Sequence, residues 1–224
     1  MERERKKAPN NKDNKNYAQT VLRAFAILDT FQNGKPELSL KHISEITGLN
    51  KTVALRLLNT LIHLNLVVKS HTSKSYRLGP RLFEYGNRFA DQLDVRKLAL
   101  PYMSEIVTKT MDTAYLMIRS GDEALMLERV EGEALGSLVG TRVGGRLPLH
   151  VGAAPMVLLV DMDEEELVAL VKRKGLPSLS PNTVENIGSL LERIKKIREN
   201  GYTIAVEDPT PGVVSLGAPV HNYD

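Results

Sequence analysis

The stretch Ser39–Asn65, SLKHISEITGLNKTVALRLLNTLIHLN, constrains this chain more than any other. Its spacing predicts two short helices broken by Gly48-Leu49-Asn50. Ser39 suits the N-cap of the first, with Leu40, Ile43 and Ile46 turned inward, and Gly48 its stop. Asn50 suits the N-cap of the second, predicted over Lys51–Asn65. There Ala54, Leu57, Leu58 and Leu61 form one apolar stripe, and Thr52, Val53, Leu55, Arg56 and Asn59 are left on the outer face. Two such helices predict a helix-turn-helix whose second helix enters the DNA major groove.

The flanking sequence completes that unit. Tyr17–Gln32 is predicted as a preceding helix, with Val21, Leu22, Phe25, Leu28 and Phe31 at helical spacing and Asn33-Gly34 as its end. Leu66-Val67-Val68 and Tyr76-Arg77-Leu78 read as paired strands around the polar turn Lys69–Ser75, and Gly79-Pro80 stops the second. Three helices and a basic hairpin make a winged helix-turn-helix over residues 17–79. Residues 1–16 carry charge and four asparagines but no sizeable apolar residue after Met1, and are expected to be a disordered basic tail.

Residues 80–94 are predicted as a linker helix. Leu82, Phe83, Tyr85, Gly86, Phe89 and Leu93 give it an apolar face that needs either a second copy or the wing domain itself as a partner. From residue 95 the pattern is α+β. A helix is predicted over Val95–Met111, using Leu98, Tyr102, Ile106 and Val107. Strands follow at Thr113–Arg119 and Ala124–Val130, and a further β pattern at Leu138-Val139 and Leu147-Pro148-Leu149. Helices are predicted over Gly152–Asp161, Glu164–Lys174 and Thr183–Asn200, then strands at Tyr202–Val206 and Val213–Val220 around the turn Asp208–Gly212. A sheet with helices is the architecture of a small-molecule sensor.

Charge supports the same division. Residues 1–80 hold 14 Lys+Arg against 6 Asp+Glu, and residues 81–224 hold 16 against 21. A basic half joined to a mildly acidic one fits a nucleic-acid reader attached to a domain with another task. No cysteine is present, which excludes disulfides and thiolate metal sites and fits a reducing cytoplasm. No apolar run reaches the length of a membrane span.

His42, His63, His71, His150 and His221 have no second ligand at metal spacing, so neither a metal nor a cofactor is expected. Gly140–Gly145 lacks the lysine and spacing of a phosphate loop, and Asp163–Glu166 reads as a solvated helix start. Glu207 and Asp208 adjoin a strand end, where adjacency alone says little. The chain is therefore not expected to be an enzyme. DNA contacts do form a constellation. Arg56 offers a bidentate contact to guanine, or a phosphate clamp. Lys51 and Thr52 stand at a helix N-terminus that favours phosphate, and Asn59 lies one to two turns on. Lys69, Lys74 and Arg77 line the wing; Ser39 and Leu55 complete the expected interface. The alternative is a metabolite sensor or interaction module whose basic half docks on an acidic protein.

These features resemble the IclR-type transcriptional regulators. The resemblance is carried by Leu22–Leu28, Gly48–Thr52, Arg56–Leu61 and Tyr76–Gly79, then by Val143–His150, Ser180–Thr183, Gly201-Tyr202, Pro211–Val213 and Ala218–Val220. It implies a winged helix-turn-helix, a helical linker and a GAF-like α+β effector domain. It also implies a homodimer or tetramer, a palindromic DNA operator, and a small organic acid or aromatic metabolite as effector. The effector site it implies is bounded by Leu138, Gly152, Ala153, Ala154 and Ser215. The chain departs from the family where a Gly-Lys is usual, carrying Gly152-Ala153-Ala154-Pro155-Met156, and where an aromatic or histidine often stands, carrying Leu55. Similar proteins continue for a few dozen residues beyond the position of Asp224, so an open sheet edge and an incomplete pocket are expected.

Overall fold

The computed structural model describes residues 16–33, 36–70, 72–133 and 142–221. The chain divides into two compact units, Met1–Gln92 and Leu93–Asp224.

In the first unit, α1 (Gln19–Asp29) runs into a 3-10 turn (Thr30–Asn33). Helices α2 (Leu40–Thr47) and α3 (Lys51–His63) follow. The expected caps are in place. The Ser39 side chain accepts from the His42 N–H, and Gly48 adopts the left-handed conformation (φ 69°) that ends α2. Asn50 Oδ1 accepts the Val53 N–H at 2.8 Å. This bond satisfies one of the donors that the first turn of α3 leaves unpaired, and it sets where the helix starts. Asn50→Ala is expected to destabilise the first unit by about 1 kcal/mol in urea unfolding; an unchanged midpoint would mean the cap contributes nothing.

The core of this unit joins Ile27, Leu28 and Phe31 to Ile43, to the stripe Leu57, Leu58 and Leu61, and to Val67 and Tyr76. The α3 stripe is as the spacing predicts. Three residues of α1 are not: Val21, Leu22 and Phe25 are exposed, and Ile27 takes the buried place. Ile46 of α2 is likewise exposed. Strands β1 (Val67–Lys69) and β2 (Tyr76–Leu78) pair antiparallel, Val67 opposite Leu78 and Lys69 opposite Tyr76. Leu38 adds a single antiparallel bridge to Tyr76. Helix α4 (Arg81–Asp91) closes the unit. Leu82 packs on its core, whereas Phe83, Tyr85 and Phe89 stay exposed, so their apolar face is not buried against the wing domain.

The second unit opens with α5 (Asp94–Thr110), which packs on β3 (Ala114–Ser120) and β4 (Glu123–Val130). Met103 is its buried residue; Leu98, Tyr102 and Ile106, expected inward, are exposed. Strands β3, β4 and β5 (Arg146–Pro148) form one antiparallel sheet in that order, with an irregularity between Leu116 and Met117. The strand pattern expected at Leu138-Val139 lies outside the described residues. Helices α6 (Ala153–Val157), α7 (Glu164–Lys174) and α8 (Ile187–Asn200) follow. The helix expected over Gly152–Asp161 is thus one short turn, and α8 starts at Ile187 rather than Thr183 because Asn186 caps it. Asp163 and Glu166 form a reciprocal capping box on α7, which accounts for that acidic run. Strands β6 (Thr203–Val206) and β7 (Val214–Gly217) make a hairpin whose inner face lies on α6. The core runs through Met156, Leu159, Leu167, Leu190, Ile194 and Ile197. No described helix is long and apolar enough to cross a membrane.

Candidate DNA interface and effector site

Helical geometry decides which side chains α3 can present. Ala54, Leu57, Leu58 and Leu61 are buried, so the opposite face of the helix carries Thr52, Leu55, Arg56 and Asn59, all exposed. Thr52, Arg56 and Asn59 fall at positions i, i+4 and i+7, one above the other along that face. Val53, placed on the outer face by its spacing, is half-buried and packs against the core. Lys51 is the first residue of α3 and is exposed at the N-terminal end of that helix. Anions bind well at such an end, because the N–H groups point outward and the helix dipole is positive there. The Ser39 hydroxyl is engaged in capping α2, so what it adds to a phosphate contact is its position at a second helix start.

The wing residues differ in how they are held. Lys69 sits with Nζ 5.8 Å from the centre of the Tyr76 ring, an anchored cation at the base of the hairpin. Lys74 is exposed in the turn between β1 and β2, and Arg77 is exposed on β2. Both Ser73 and Ser75 donate hydroxyl hydrogen bonds to Glu37. Those bonds, Ser75 first, and then the Arg77 charge hold the Glu37 carboxyl below its usual range. The structure therefore brings Lys51, Thr52, Leu55, Arg56 and Asn59 onto one helix face and Lys69, Lys74 and Arg77 onto one hairpin.

In the second unit the residues of the expected effector site come together in part. Gly217 of β7 lies so close to α6 that an added Cβ would stand 2.6 Å from the Ala153 carbonyl oxygen. Ser215 is two residues earlier on the same strand, half-buried opposite Ala205. Gly152, Ala153 and Ala154 are thus beside the strand that carries Ser215, while Leu138 lies outside the described residues. Gly152 has φ 73°, which a side chain would strain. Its N–H, a natural donor for an effector carboxylate, is already used: it donates to Asp208 Oδ2 at 2.9 Å.

Asp208 is the residue that sequence reasoning undervalued. It is 5% exposed, and its other oxygen accepts hydrogen bonds from Thr183 Oγ1 at 2.6 Å and Ser180 Oγ at 3.2 Å. A buried carboxylate is tolerable when several donors replace the water it has lost. Here the bonds join three segments: the start of α6 and the Ser180–Thr183 loop supply the donors, and the β6–β7 turn supplies the acceptor. His150 ties the same region, with Nε2 3.0 Å from the Pro177 carbonyl. The Ser180-Pro181-Asn182-Thr183 run was the sequence signal available; its partner was not readable, because Asp208 is 25 residues away. No group of three or more His, Cys, Asp or Glu that could hold a metal occurs among the described residues.

Comparison with known proteins agrees with both halves. Residues 20–71 match the IclR helix-turn-helix domain, and residues 87–224 match the bacterial transcriptional regulator IclR C-terminal domain. The chain is 33% identical to the HTH-type transcriptional regulator KipR of Bacillus subtilis, over 94% of this chain and 82% of that one. It is 32% identical to XynR of Escherichia coli, over 92% and 81%. Among solved structures, an IclR transcriptional regulator from Alicyclobacillus acidocaldarius is similar with TM-score 0.81 and 29% identity, over 92% of this chain and 83% of that one. The fold is shared with an IclR homolog from Microbacterium hydrocarbonoxydans complexed with 4-hydroxybenzoate, at TM-score 0.79 and 24% identity, over 91% and 84%. A winged helix-turn-helix followed by this α+β unit, matched along its length in that order, makes the chain a member of the IclR family of DNA-binding transcriptional regulators.

Proposed function

We propose that this protein is a cytoplasmic, effector-controlled repressor that binds a two-fold symmetric operator as a homodimer or a dimer of dimers. The observation that carries the reading is the α3 face on which Thr52, Arg56 and Asn59 align opposite the buried stripe, with Lys51 at the helix start. In this reading Arg56 and Asn59 contact base edges, and Lys51, Thr52, Lys69, Lys74 and Arg77 hold phosphates. Leu55 offers an apolar contact, as to a thymine methyl. Pairing of two copies is supported by the exposed Phe83, Tyr85 and Phe89 of α4, an apolar surface that a solitary chain would leave in water.

The effector is a small organic acid held near Gly152–Ala154 and Ser215. Asp208 shapes that site by holding Gly152 rather than by acting chemically. Aromatic carboxylic acids belong in the first ligand panel, given the molecule in the Microbacterium protein's structure.

The experiment is a footprint on duplex selected by the full chain from a random-sequence pool, with binding followed across a salt series. Log affinity is expected to fall linearly with log salt, by roughly one unit of slope per phosphate neutralised. A protected stretch with two symmetric half-sites about one helical turn apart is also expected. Failure to select any duplex, with retention on an acidic protein column instead, would favour docking on a protein partner.

A further inference from the structure

We propose that Glu37 is a positioning residue for the wing: one carboxylate oxygen holds the serines on either side of Lys74, and so fixes where that cation meets DNA. The inference rests on the reading that the wing grips the phosphate backbone. Glu37 reaches the hairpin through the short bridge beside it. The Leu38 N–H donates to the Tyr76 carbonyl at 2.9 Å, and the Tyr76 N–H donates back to Leu38 at 2.8 Å. That exchange sets Glu37 alongside residues more than thirty positions away in sequence. Ser73 Oγ donates to Glu37 Oε2 at 3.0 Å, and Ser75 Oγ donates to the same oxygen.

Lys74, between the two serines, has φ 53°, a left-handed conformation that residues with side chains seldom adopt. Such a conformation persists where the neighbours on both sides are held. The backbone supplies some of the restraint, through the Ser70 N–H bonded to the Ser75 carbonyl at 2.8 Å. Within the turn the Ser73 N–H also donates to Ser70 Oγ at 3.3 Å, and the Ser73 and Ser75 hydroxyls lie 2.5 Å apart; the hydroxyl clamp on Glu37 joins the turn to the body of the domain.

The alternative for an exposed acid beside a DNA-gripping hairpin is a charge that repels phosphate. The two roles predict opposite signs. If Glu37 only repels, its removal tightens binding; if it positions Lys74, its removal weakens binding.

Affinity for the selected duplex, read by fluorescence anisotropy at fixed salt, separates them. Glu37→Ala is expected to weaken binding roughly three- to tenfold, the scale of one phosphate contact. Glu37→Gln is expected to recover most of that loss, because a single amide oxygen can accept both hydroxyls without the charge. In a Lys74→Ala background, Glu37→Ala is expected to add nothing; in an Arg56→Ala background it should add its full loss. Equal or tighter binding by Glu37→Ala overturns the proposal. So does an equal loss in Glu37→Gln, or a loss that persists undiminished without Lys74. If Lys74→Ala alone has no effect, the wing reading itself fails. If Lys74→Ala weakens binding and Glu37→Ala does not, the assignment of Glu37 fails and the wing reading stands.

Discussion

Arg56→Ala is expected to weaken binding to the selected operator by about 1–3 kcal/mol, roughly five- to 150-fold in affinity. The residue is exposed at the middle of the free face of α3, opposite the buried stripe of Ala54, Leu57, Leu58 and Leu61. A guanidinium there presents a planar pair of donors, the geometry that matches the O6 and N7 acceptors of guanine. The loss should be selective. Against a scrambled duplex the variant should lose much less, so the ratio of specific to non-specific affinity falls. Lys74→Ala should instead weaken both duplexes alike. An equal loss on both by Arg56→Ala would reassign it from base reader to phosphate clamp. Unchanged binding would remove α3 from the major groove altogether.

The second large effect is expected in the other half of the chain. Asp208→Ala deletes the acceptor of the Gly152 N–H and of the Ser180 and Thr183 hydroxyls in a buried site. Hydrogen bonds to a buried charge stabilise more than neutral ones, and donors left unpaired carry their own desolvation cost. Since both hydroxyls can rotate toward other acceptors, a total destabilisation of about 2–4 kcal/mol is expected. Hydrogen exchange should place that loss in residues 93–224 and leave peptides from residues 16–92 unchanged. Asp208→Asn keeps one oxygen and should lose less. A ligand that stabilises the parent protein should no longer do so in the alanine variant, because Gly152 loses the bond that orients it. If Asp208→Ala melts as the parent does, the three segments are held together without the Asp208 bonds.

Much of the first unit was legible in order. Ser39 and Asn50 act locally, through bonds to residues three positions away, and Gly48 acts through its own left-handed backbone, so their roles follow from spacing. The α3 stripe was legible for a related reason: four apolar positions on one face admit one burial direction. The same periodicity misled in α1 and α5. Val21, Leu22 and Phe25, and Leu98, Tyr102 and Ile106, form apolar faces, yet each is exposed in its own unit. Periodicity reports that a face is apolar and is silent on which surface covers it. Met103 and Ile27 are the residues that meet the core instead.

The sequence by itself determined the winged helix-turn-helix, the outward Thr52, Leu55, Arg56 and Asn59 of its second helix, and the change from a basic to a mildly acidic half. Local hydrogen bonds, helical spacing and summed charge need no tertiary contact to be read. Only the tertiary structure decided that Asp208 lies buried against Gly152, Ser180 and Thr183, and that Glu37 joins Ser73 and Ser75 beside Lys74. The physical reason is common to both. A carboxylate far from its partners along the chain takes its role from whichever donors the fold delivers, and no spacing rule connects residues 152 and 208 or residues 37 and 75.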